Sequence, residues 1–230
     1  MANRLESLLR WPLLAARHPS GLLLAAQLLS LLLYPLMDDS RDGRVLFSAI
    51  ALVVVPLAVW VVRGSRSANW IAWTLAVPAM ALSLLAIVLA QPALIVASAV
   101  LEAVLYFYAA GSLIRYMLDD HEVSADELFA AAATFTLLAW AFAYAYMVCQ
   151  AWFPASFTGL VEPDRHRRWI ELLSLSFSNL SGVGSGDILP LSPQARALVM
   201  LEQLAGVGYI AAVVGRVIGL TVVRRQGRAG

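Results

Sequence analysis

The stretch WIELLSLSFSNLSGVGSGDILP, residues 169–190, decides how the rest of this chain is read. Its opening, Trp169 to Leu180, is apolar and helical in pattern, with Trp169, Leu172, Leu173, Phe177 and Leu180 near one face. At about 1.5 Å of rise per residue such a helix reaches about 18 Å, too short for the about 30 Å of hydrocarbon in a bilayer. Ser181-Gly182-Val183-Gly184-Ser185-Gly186-Asp187 follows, with glycine at alternate positions. If lipid surrounds this segment, the helix enters the membrane and turns back.

Composition says that lipid does surround it. The 230 residues are 61% hydrophobic and only 13% charged, with a mean hydropathy of +0.77. Ordinary chains are about half apolar and about a quarter charged, so a soluble domain of this size could not hide so much apolar surface. A net charge of +1 makes no case for a nucleic-acid partner. Cys149 is the single cysteine, which excludes an intrachain disulfide or a thiol-based metal site and reads as a small buried side chain.

Six apolar segments qualify as spans, at 21–37, 45–63, 69–90, 93–117, 128–152 and 195–223. The first is followed by Asp38-Asp39 and not by a small-residue cleavage site, so it reads as a retained span. Pro56 and Pro78 interrupt spans where neighbouring helices can compensate. Pro92 can open the fourth helix, Ser124 to Glu127 reads as a capping box for the fifth, and Ser192-Pro193 opens the sixth. With the N-terminus inside, nine arginines face the cytoplasm against six outside, favouring cytoplasmic termini in a plasma (inner) membrane.

Non-helical backbone at membrane depth is tolerated only where protein covers it or where it lines a water-filled path. Glycine takes positive φ without steric cost, so alternating glycines can turn successive carbonyls the same way. Four such strands around an axis stack rings of carbonyl oxygen that replace the hydration shell of a cation. One re-entrant loop per chain closes a ring only in a homotetramer. A nucleotide-binding loop is excluded, because Gly182-x-Gly184-x-Gly186 lacks the required spacing and the following βα unit.

These residues resemble the pore of the potassium-channel superfamily, in which a short pore helix leads to Thr-Thr-Val-Gly-Tyr-Gly-Asp, a proline-containing turn and an inner helix. Leu175 to Leu180 matches the end of the pore helix, Ser181 to Asp187 the filter, and Pro190 to Arg196 the turn. The resemblance implies K⁺ as permeant ion at the carbonyls of Val183 and Gly184, within a filter of Gly182, Val183, Gly184, Ser185 and Gly186. It also implies Asp187 at the outer mouth and Gly206 as the hinge of the inner helix, with Ser181 beside the filter. It covers about residues 168–223; the four earlier spans match in number and length alone.

Two filter positions depart from the family: Ser185 replaces its tyrosine and Gly182 the threonine before Val183. The tyrosine braces the ring and the threonine supplies the innermost ligands, so strong preference for K⁺ over Na⁺ is not expected. The fourth span repeats no arginine, which argues against voltage sensing. Glu102, Glu202 and Arg216 are ionisable groups within spans and are functional candidates by default. Glu202, one turn before Gly206, is expected to bond behind the filter, Glu102 to pair within its own bundle, and Arg216 to snorkel inward. Ile210, Val213 or Val214, and Val217 follow Gly206 at helical spacing and suit a hydrophobic gate. Arg165, Arg167 and Arg168 are expected to meet lipid headgroups.

The expectation is an all-α membrane protein with a tetrameric pore. Residues 1–20 form a cytoplasmic segment, 21–118 four peripheral helices and 119–127 a cytoplasmic loop. The pore domain is 128–223, and 224–230 is a cytoplasmic tail. The expected function is passive cation conduction with no cofactor and no enzymatic site, partnered by membrane lipids and by copies of itself. A weakly selective channel of the same build, or a non-conducting sensor or scaffold, are the alternatives.

Overall fold

A computed structural model describes residues 19–34, 54, 56–58, 60, 69–89, 91–119, 125–160, 162–163, 165–184 and 186–226, with backbone alone at 69, 87, 119, 125, 214 and 217–226. The helices are α1 (Pro19–Leu33), α2 (Asn69–Leu89), α3 (Pro92–Asp119), α4 (Ala125–Trp152), α5 (Trp169–Leu180) and α6 (Pro193–Gln226). Short strands β1 (Phe157–Gly159) and β2 (Ile188–Pro190) flank α5 in sequence.

Helix starts follow local chemistry. Pro92 opens α3, where its missing N–H costs nothing. Ser192 caps α6, its Oγ accepting the Ala195 N–H at 3.1 Å. Asp126 and Glu127 place negative charge in the first turn of α4, where the helix dipole favours it. The expected capping box falls on Ser124, outside the described residues; Glu127 Oε1 meets Arg216.

Helix α4 is the central wall. It packs against α1, α3, α5 and α6, while α2 packs chiefly on α3. Ala130, Ala133, Ala139, Ala141 and Ala143 are all buried along it. Small side chains let backbones approach closely, which is how helices associate when lipid removes the hydrophobic drive between them.

Among the described residues, three helices are long and apolar enough to cross a membrane: Pro92–Leu118, Asp126–Trp152 and Pro193–Val213. Pro19–Leu33 and Trp70–Ala86 are shorter apolar helices. The expected span 45–63 falls almost wholly outside the described residues, as do the end of 21–37, the N-terminal segment before Pro19 and most of the 119–127 loop. Pro78 sits inside α2, which continues through it.

β1 and β2 pair antiparallel, Phe157 against Pro190, Thr158 against Leu189 and Gly159 against Ile188. The pairing is extended by Leu160 N–H to the Asp187 carbonyl (3.1 Å) and Leu191 N–H to the Ser156 carbonyl (2.8 Å). The loop after α4 is thereby tied to the segment after residue 186, and α5 is enclosed between two fixed ends.

Candidate functional site

Helix α5 lies between α4 and α6, with Leu172, Leu173 and Leu180 fully buried. Its twelve residues are those that the sequence pattern marks, and the chain does turn back after them. Ser181 N–H donates to the Phe177 carbonyl, Gly182 N–H to Asn179 (3.0 Å) and Gly184 N–H to Ser178 (2.9 Å). The chain leaves the helix by folding along its own last turn.

Gly182 and Gly184 have φ of +76° and +65°. An added Cβ would meet nothing within 4 Å at either position, so glycine is needed there for backbone conformation and not for space. The alternation stops short of its expected extent, since Gly186 is outside the left-handed region and Ser185 outside the described residues. Ser181 turns its Oγ to the Ser178 carbonyl (3.2 Å), closing the helix end. Val183 is 68% exposed on the single subunit, an apolar side chain with nothing over it.

Asp187 is exposed, and its carboxylate takes no hydrogen bond or ion pair from the described residues of the subunit. Its backbone carbonyl serves the turn; its charge stays available beside Gly186. The arginines nearby behave otherwise than expected. Arg165 grips Glu162 at 2.7 Å and Glu171 at 2.8 Å. Arg167 is buried, its guanidinium on the carbonyls of Arg165 (2.8 Å) and Glu162, its backbone fixed by Gln150. Both belong to a protein clasp and not to lipid headgroups, because the left-handed turn at Glu162 (φ +50°) offers carbonyls that need donors. Glu171 Oε2 also accepts the Arg168 N–H at 2.6 Å. Partial burial raises the Glu171 carboxyl, but this N–H and the Arg165 guanidinium outweigh it and hold the group below its ordinary value.

Behind the turn lies a buried polar cluster. Glu202 of α6 is fully buried, with one carboxyl oxygen against the Tyr146 hydroxyl and the other against Ser176 Oγ. Ser176 Oγ is also 2.8 Å from the Ala139 carbonyl. At the next residue of α6, Gln203 Nε2 donates to Asn179 Oδ1 (3.1 Å), whose amide donates to the Leu175 carbonyl (3.0 Å). These contacts join α4, α5 and α6. The expected position of Glu202, behind the turn, is where the fold puts it; its partners Tyr146 and Ser176 were not singled out, although polar residues in an apolar span were the signal for them.

Gly206 has a steric use besides the bending expected of it. A Cβ there would lie 2.0 Å from the Leu180 carbonyl oxygen, so its first role is to let α6 press on the end of α5. Gly208, two residues on, meets nothing within 4 Å and is sterically free. Ile210 is 40% exposed on the same open side as Leu204 and Val207; the side chains of Val214 and Val217 lie outside the described residues. Below Gly206, α6 is fastened to α4. The Tyr209 hydroxyl donates to the Ala131 carbonyl at 2.5 Å, and Arg216 pairs with Glu127 at 2.5 Å, both side chains largely buried. Arg216 therefore does not snorkel away, since a carboxylate waits at the start of α4.

Trp169, the first residue of α5, sits among aromatic rings of other helices. Its ring lies 5.5 Å from Trp140 edge-on, 5.8 Å from Tyr144 and 6.1 Å from Tyr34. Aromatic contacts of this kind are worth about 0.5–1.5 kcal/mol each beyond area burial. They anchor the re-entrant helix to the peripheral bundle, where Glu102 is buried and bonded to Ser83 at 2.6 Å and to Tyr144.

The protein-family model described as ion channel matches residues 131–222. No curated protein matches the chain, and no solved structure does. The match takes in most of α4, the whole re-entrant segment and α6 almost to its end, and it leaves α1 to α3 outside. Residues 131–222 are thus similar to an ion-channel domain.

Proposed function

We propose that the chain is the subunit of a passive cation channel in which four copies surround one pore. The observation that carries this reading is the pair of left-handed glycines, Gly182 and Gly184, directly after a helix too short to cross a membrane. Backbone in that form turns carbonyls of neighbouring residues to a common side, and rings of four can substitute for a cation's water. K⁺ would sit at the carbonyls of Val183 and Gly184, and Asp187 would draw cations to the mouth. Copies of the chain would cover Val183 and the open side of α6, where Met200, Leu201, Leu204 and Val207 are all more than half exposed. The termini are placed in the cytoplasm and the gate at Ile210 and Val214, below Gly206.

A second reading, weak discrimination between K⁺ and Na⁺, is favoured by Gly182 itself. It brings no side-chain oxygen to the innermost position of the filter. Flux into proteoliposomes holding the purified chain tests both. The first reading expects K⁺ uptake well above Na⁺ uptake; similar uptake supports the second, and none above empty vesicles sinks both. Thr at 182 with Tyr at 185 should raise the K⁺/Na⁺ ratio, and an unchanged ratio would refute the role given to ring width.

A further inference from the structure

We propose that Glu202 is a proton-binding site, a neutral carboxylic acid whose proton completes the bonding between α4, α5 and α6. The case rests on counting hydrogens. Ser176 Oγ has one hydrogen and two neighbours that accept, the Ala139 carbonyl at 2.8 Å and a carboxyl oxygen of Glu202. Were Glu202 ionised, one of these contacts would be two lone pairs facing each other in a buried site. A proton on that carboxyl oxygen resolves the conflict. The acid then donates to Ser176, Ser176 donates to Ala139, and the Tyr146 hydroxyl donates to the other carboxyl oxygen. Every hydrogen has one acceptor.

The surroundings supply no positive charge that would favour ionisation instead. Facing Glu202 are Tyr146 from α4 and Ser176 from α5, with Cys149 of α4 next to Tyr146. All three are neutral, and among the described residues no arginine or histidine is in contact with it. An ionised carboxylate left without a cation in such a place costs several kcal/mol. Buried glutamates elsewhere stay protonated to about pH 8–9.

Loss of the proton would free Ser176 from either Ala139 or Glu202, loosening α5 from α4 or from α6. Because α5 ends in the Gly182–Gly184 turn, the loosening would act on the conduction path; this consequence rests on the pore reading, whereas the proton itself does not.

Infrared spectroscopy of the full-length protein in lipid, titrated from about pH 6 to about pH 10, tests the assignment. A protonated-carboxyl band should be present at neutral pH, fade in alkali, and lose that component in Glu202→Gln. Glutamine reproduces the acid, its amide donating to Ser176 and its oxygen accepting from Tyr146. Glu202→Gln should therefore keep the neutral-pH melting temperature, while the wild type alone loses stability as the pH rises. A folded state that holds a proton which the unfolded chain releases is destabilised by alkali. A carboxyl band unchanged by Glu202→Gln, or a variant that melts well below the wild type at neutral pH, overturns the proposal. If flux is measurable, it should fall about 5-fold or more in alkali for the wild type and stay level in Glu202→Gln. Equal pH profiles would overturn the regulatory consequence, and a chain that passes no ions would sink the channel reading while the spectra still decide the proton.

Discussion

Tyr144 and Tyr146 stand two residues apart on α4 and so point to opposite sides of it, and each meets a buried glutamate. On the bundle side, Glu102 receives Tyr144 and Ser83, one hydroxyl from each neighbouring helix. On the pore side, Glu202 receives Tyr146 but shares the single hydrogen of Ser176 with the Ala139 carbonyl. The two sites have the same chemical parts and differ in one acceptor. The bundle side can satisfy its carboxyl with donors from within the chain; the pore side needs a proton besides. The same contrast holds for the surfaces. The bundle buries its polar groups among its own helices, while α6 and the turn after α5 leave Val183, Leu201 and Leu204 open. The half proposed to serve ions is the half that leaves the larger apolar side chains open on a single chain.

Four substitutions or conditions would break or sharpen that contrast. Gly206→Val should have the largest effect, because the new Cβ would lie 2.0 Å from the Leu180 carbonyl oxygen and α6 would have to move away. Overpacking costs about 1–3 kcal/mol and sometimes more. Gly208→Ala, two residues on, should leave the assembly intact; size-exclusion profiles in detergent that change equally for both would refute the distinction. Next comes Gly184→Ala, since a left-handed conformation costs a residue with Cβ about 1–2 kcal/mol. It should reduce flux while oligomeric size and melting temperature stay close to those of the wild type. Retained flux would remove the reason given for glycine there.

A smaller effect is expected at the start of α4, where the two halves are joined by Arg216 and Glu127. Arg216→Glu alone should lower the melting temperature, by less than the about 3–5 kcal/mol lost when a fully buried pair is broken. Adding Glu127→Arg should recover part of the loss, and a double variant no better than the single would deny the pairing. The smallest effect belongs to the outer clasp. Glu171 is held below its ordinary value of 4.5, so its contribution is complete above that value and disappears as pH falls through the lowered one. Melting should be independent of Glu171→Gln in acid and slightly lower for the variant at neutral pH. A difference that grows in acid would reverse the sign of the effect.

Much of the candidate site was legible in residues 169–190. The length of an apolar run and the position of glycines are local properties, and they fixed the re-entrant helix over Trp169 to Leu180 and the left-handed turn at Gly182 and Gly184. Glu202 behind the turn was also readable, since one turn of helix sets its face relative to Gly206. What could not be read was the identity of its partners, because Tyr146 and Ser176 are 56 and 26 residues away in sequence. The arginines show the same limit. Arg165, Arg167 and Arg216 look like surface charges in an apolar chain, and only the fold reveals a carboxylate or a row of carbonyls beside each.

Sequence by itself determined that the chain belongs in lipid, where its helices begin, and which segment cannot cross, because apolar content, proline and glycine act over a few residues. Tertiary structure alone decided that Gly206 is a point of contact, that α4 is the shared wall of two halves, and that one hydroxyl serves two acceptors. Those facts depend on distances between helices, and no local pattern encodes a distance.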